Sequence, residues 1–173
     1  MKTLTLGGDP LRLDDLGPLV DGERLRLRVP APALAQLKAS RAMVDEAVRG
    51  GEVVYGLTTG FGKLKNEAVA REDLRELQRN LVLSHCVGGG EAMPLEEARL
   101  VVLLRIVSLL RGVSGVRPAL VRRLVRFFNA DLIPEIPQQG SVGASGDLAP
   151  LSHMVARSEE HTSELQSRPY LVC

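Results

Sequence analysis

The stretch from Pro94 to Leu110 is apolar on most sides, and between Leu100 and Leu104 no polar residue interrupts it. A helix of that character needs apolar neighbours around most of its circumference, so this one is predicted to lie inside an assembly of helices. Arg105 breaks the run, which is too short to span a bilayer. The chain has 173 residues, 45% apolar and 25% charged, enough to bury a core without metal or disulfide staples. Aromatic residues make up only 3%, leaving Leu and Val to fill that core.

Further helices follow from periodicity and punctuation. Pro30 and Pro32 fit a first turn, and Leu34, Leu37, Ala42, Val44 and Val48 recur at helical spacing until Gly50 and Gly51 stop the segment. Leu74, Leu77, Leu81 and Val82 mark one face of a helix predicted over 71–84, and Gly88, Gly89 and Gly90 break it. Pro118 opens a helix to about Asn129. Lys2 to Leu6 and Arg24 to Arg28 alternate with the two-residue period of strands. The expected fold class is therefore mainly α, a helical bundle with short N-terminal β-strands. Three loops, Tyr55–Gly62, Ser84–Gly90 and Gln138–Gly146, are rich in Gly, Ser, Thr and His, and loops between strong helices are where chemistry usually sits.

Several functions are excluded by counting. Lys and Arg total 22 against 21 for Asp and Glu, which gives no electrostatic reason to expect nucleic acid or an anionic membrane as partner. Cys86 and Cys173 are too few for a disulfide framework and lack zinc-site spacing, so no metal is expected and a reducing cytoplasm fits best. Met1 to Pro10 carries one lysine and no long apolar run, so no signal peptide is expected. Leu57 and Leu64 stand where a phosphate-binding loop around Gly62-Lys63 needs Gly and Ser or Thr. Gly143-Ala-Ser145-Gly-Asp147 ends in aspartate where a hydrolase elbow needs glycine, and Gly88 to Gly90 follow a helix instead of the strand a dinucleotide fingerprint requires.

Between Gly140 and Gly146 stand three glycines, two serines and an alanine, a composition that lets the backbone fold back on itself. Asp147 and the apolar residues after it look like the first turn of a helix, whose dipole favours negative charge nearby. Composition alone favours an ordinary glycine-rich helix entry capped by Asp147 or Ser145.

The run Gly140-Ser-Val-Gly-Ala-Ser-Gly-Asp-Leu-Ala-Pro-Leu151 closely resembles the signature of the aromatic amino acid ammonia-lyases. Tyr55-Gly-Leu-Thr-Thr-Gly-Phe-Gly62 and Ser84-His85 with Gly88 and Gly90 resemble two further loops of that family, in its order, and the likeness extends over about residues 19–156. It implies the family's helical bundle, of which residues 1–156 would form the N-terminal portion including the prosthetic-group loop. Ala144, Ser145 and Gly146 would cyclise to 4-methylideneimidazol-5-one: the Gly146 nitrogen attacks the Ala144 carbonyl, and loss of the Ser145 hydroxyl leaves an exocyclic methylidene. No external cofactor is implied. Tyr55 would be the catalytic base and His85 the substrate-binding residue. Ser-His followed by glycines resembles members that deaminate L-histidine to trans-urocanate and ammonia in histidine catabolism, an imidazole being able to donate or accept toward another imidazole. The other readings are a phenylalanine or tyrosine substrate, and an inactive helical fragment acting only as an interaction module.

The family's homotetramers build each active site from several subunits, and their remaining helices and site residues would lie beyond Ala156, so these 173 residues alone are expected to lack activity. Residues 157–173 abandon the apolar period of Leu148, Leu151 and Val155 and resemble the translation of a sequencing-adapter oligonucleotide, so they are expected to be a non-native tail. His153 is expected to be structural and Cys86 a small buried residue and not a nucleophile.

Overall fold

Alternating leucines decide the first pairing. In the computed structural model, which describes residues 1–70, 72–142 and 148–160, strand β1 (Lys2–Thr5) runs parallel to β2 (Leu25–Arg28) with Lys2 opposite Leu25 and Thr5 opposite Arg28. Leu25 and Leu27 point into the core while Arg26 and Arg28 stay exposed. Helix α1 (Gly17–Val20), absent from the sequence expectations, lies in the crossover and buries Leu19 completely. Helix α2 (Ala31–Gly50) starts after Pro30 and ends at Gly51, whose φ of 70° is the left-handed cap only glycine adopts freely.

Helix α3 (Leu74–His85) begins three residues later than its apolar period suggested, because Glu72 and Asp73 lie in a turn and the Asp73 amide bonds the Ala70 carbonyl. Two further strands, β3 (Gly89–Ala92) and β4 (Pro137–Gln139), overlap the ends of segments read as loops and pair antiparallel, with Gly89 opposite Gln139 and Ala92 opposite Pro137. Helices α4 (Leu95–Leu110), α5 (Pro118–Asn129) and α6 (Leu148–Glu160) complete the mainly helical fold that was expected.

Helix α4 is the spine of the core. Ala98, Val102, Leu103, Ile106, Leu109 and Leu110 are buried, against Val121, Leu124 and Phe128 of α5, Leu37 of α2 and the leucines of β2. Leu104 remains 48% exposed, so α4 is enclosed over a broad face and not all round. Among the described residues, no helix is long and apolar enough to cross a membrane.

Candidate functional site

The first of the three loops hangs from α3. Thr59 is wholly buried, and its hydroxyl accepts from the Gly56 amide at 3.3 Å and donates to the Gly60 carbonyl at 3.0 Å. Thr58 braces the loop from the other side, accepting from the Val54 amide at 2.8 Å and donating to the Glu52 carbonyl. Gly56 has a φ of 70°, and a Cβ there would fall 2.9 Å from the Phe61 ring, so both conformation and space call for glycine. Gln78 of α3 donates to the Gly56 carbonyl at 3.2 Å and fixes the loop to the helix. Tyr55 rests edge-on against Phe61 with ring centroids 6.0 Å apart and is 65% exposed.

His85 is the last residue of the same helix, seven residues beyond Gln78. At the helical rise, the two anchor points are about 10 Å apart along the axis. His85 Nδ1 lies 2.8 Å from the Leu81 carbonyl, to which the Ser84 hydroxyl also donates at 2.9 Å. A carbonyl can only accept, so Nδ1 carries a hydrogen, and in the neutral ring Nε2 keeps a lone pair. One nitrogen thus serves the helix end, and the other lies outside that bond.

Strand pairing brings the start of the third loop to the segment just beyond His85. Ala144, Ser145 and Gly146 themselves lie outside the described residues, but both flanks are placed. Upstream, β4 pairs with β3 just beyond His85, and Gly140, at a φ of 122°, crosses Gly88 so closely that a Cβ would stand 2.9 Å from the Gly88 Cα. Downstream, α6 begins at Leu148, with Ala149 buried in its first turn, 3.5 Å from where that Gly140 Cβ would stand. The two described flanks, one fixed by a glycine crossing and the other by a packed helix, fit a prosthetic group built from the backbone between them.

Helix α6 also reaches back to α3. The Gly88 amide donates to His153 Nε2 at 2.9 Å, and His153 Nδ1 lies 3.3 Å from Cys86 Sγ. His153 therefore ties the exit of α3 to α6, and Cys86 is half-buried beside it. The structure thus places Cys86 and Gly88, just beyond His85, against the flanks of 144–146, whereas the Tyr55 loop is tied to α3 through Gln78. Sequence reasoning gave Gln78 no role and left His153 as a generic structural residue. No local pattern singles either out, since each acts on a backbone group more than 20 positions away.

The chain matches the family model described as aromatic amino acid lyase over residues 11–158. A histidine ammonia-lyase of Paracidovorax citrulli is 51% identical over 154 residues, covering 89% of this chain and 30% of that protein. Histidine ammonia-lyase from Trypanosoma cruzi superposes with a TM-score of 0.81 at 31% identity, covering 100% of this chain and 36% of that one. Tyrosine aminomutase from Streptomyces globisporus gives a TM-score of 0.83 at 30% identity, over 97% of this chain and 34% of that one. The chain spans about 30% of the length of the curated relatives it matches.

Proposed function

The chain belongs to the aromatic amino acid lyase family, and from that premise we propose that it carries part of the active site for the non-oxidative deamination of L-histidine to trans-urocanate and ammonia. Residues 1–156 are read as the N-terminal portion of the lyase domain and 157–173 as non-native. The intact enzyme is read as a cytoplasmic homotetramer of histidine catabolism that needs no external cofactor. Ala144, Ser145 and Gly146 would form the 4-methylideneimidazol-5-one, which supplies an electrophile for the substrate amine.

The chain's own residues supply the rest. His85 Nε2, the acceptor left by the Nδ1–Leu81 bond, receives an N–H from the substrate imidazole. Tyr55 Oη takes the proton from the substrate β-carbon. The Tyr55 loop, braced by Thr58 and Thr59 and hinged at Gly56 and Gly62, covers the bound substrate. The observation that carries the reading is the bond of His85 Nδ1 to the Leu81 carbonyl, because an acceptor at Nε2 of the neutral ring matches an imidazole N–H and has no counterpart on the bare phenyl ring of phenylalanine, while turnover separates histidine from tyrosine.

The test is turnover of L-histidine, L-phenylalanine and L-tyrosine by the intact enzyme, followed by product absorbance. Histidine alone should react, and His85→Leu should lower kcat/KM for it about 10- to 100-fold. Preferred turnover of tyrosine or phenylalanine, or an unchanged His85→Leu enzyme, overturns the assignment.

A further inference from the structure

The contact of His153 with the segment after His85 is built to a tight tolerance. A backbone amide can only donate, so the 2.9 Å contact from Gly88 fixes Nε2 as acceptor and places the ring hydrogen on Nδ1, toward Cys86 Sγ at 3.3 Å. A Cβ on Gly88 would lie 2.9 Å from that Nε2 and 3.1 Å from the Gln139 carbonyl, so residue 88 sits in a slot made by α6 on one side and β4 on the other. Both neighbours of His153, Ser152 and Met154, are buried, which fixes the helix carrying it. Cys86 and Gly88 stand one and three residues beyond His85, and α6 follows directly on residues 143–147. One imidazole therefore joins the residue read as gripping the substrate to the helix that anchors the reacting loop.

We infer that His153 is a positioning residue for His85: by holding the exit of α3 against α6 it sets where the substrate imidazole is bound relative to residues 144–146. The inference rests on the reading of His85 as the substrate-binding residue. A loose tie lets His85 shift with the end of α3, so binding and alignment suffer while the prosthetic group still forms.

The experiment compares kcat and KM for L-histidine in the intact enzyme with His153→Leu, His153→Gln, His85→Leu and the Leu/Leu double variant, with peptide mass reporting the loss of two waters at 144–146. His153→Leu should lower kcat/KM about tenfold with the mass deficit intact, the value of one hydrogen bond. His153→Gln should restore most of the loss, because its Oε1 can accept from Gly88 in place of Nε2. In the His85→Leu background, His153→Leu should add little. Should His153→Leu fail to fold, His153→Asn carries the test: its shorter side chain cannot reach Gly88, so it must fall about tenfold below His153→Gln. Equal activity of the Gln and Leu variants, or of Gln and Asn, overturns the inference, as does a His153→Leu loss undiminished in the His85→Leu background. An unchanged His85→Leu enzyme overturns the substrate reading and this inference together. A large His85→Leu loss beside an unaffected His153→Leu overturns only this one.

Discussion

Among the described residues, Tyr55 is held by its neighbours' backbones and not by its own hydroxyl. Thr59, fully buried, fixes the Gly56 amide, Gln78 fixes the Gly56 carbonyl, and the Tyr55 ring leans on Phe61. Replacing Tyr55 with Phe keeps the edge-to-face contact and removes only the group proposed to take the proton. The expected outcome is a fall in kcat of about 10²- to 10⁴-fold with an unchanged unfolding temperature. A kcat within about twofold of the parent would remove Tyr55 from the role of base. Tyr55 and His85 draw notice in the sequence because one opens a glycine-marked loop and the other ends a helix just before one. Gln78 and His153 are not, because their importance is a contact across 22 and 65 positions.

At the scale of elements, the turn between α4 and α5 shows how helices are registered. Gln36 of α2 donates to the Arg111 carbonyl at 3.0 Å, and the Gly115 amide donates to Ser40 Oγ at 3.0 Å. Gly115 has a φ of 64°, and the Val44 side chain fills the place a Cβ would occupy. Gly115→Ala meets both a disfavoured backbone and a blocked volume, so a destabilisation of about 2 kcal/mol is expected, read as a lower denaturant midpoint at unchanged slope. A midpoint equal to the parent would show that the α2 contact yields. The helices themselves are legible because apolar spacing, Pro30, Pro118 and Gly51 mark their faces and ends. Strands β3 and β4 are not: Gly-Gly-Glu-Ala and Pro-Gln-Gln carry neither strand propensity nor alternation, and only their pairing makes them strands.

Across the whole molecule, one ionic node joins parts distant in sequence. Arg99 of α4, its side chain 7% exposed, donates through Nε and Nη2 to Asp131 at 3.2 and 2.8 Å, and Arg24 beside β2 pairs with the second carboxylate oxygen. Asp131, at a φ of 59°, is the sole non-glycine residue with positive φ among the described residues, and Asn129 nearby bonds both the amide and the carbonyl of Leu27. Asp131→Ala leaves the enclosed Arg99 guanidinium without its carboxylate. A loss of about 2–3 kcal/mol is expected, whereas Arg24→Ala, at a side chain 66% exposed, should cost under about 1 kcal/mol. Thermal unfolding of the two variants checks the order, and a larger effect from Arg24 would place the weight of the node at the surface.

What the sequence determined by itself is local: the helix faces, the two leading strands, and three loops whose glycines, Tyr55 and His85 spell one family's pattern. Those features follow from backbone freedom and apolar spacing within a few residues, so they need no partner to be read. Only the tertiary structure decided that β3 and β4 pair, that Gly88 and Gly140 cross, and that His153 binds the exit of α3. Each of these is a meeting of segments about 50 or more positions apart, made possible by the absence of a side chain at the crossing and fixed by burial of the helices on either side.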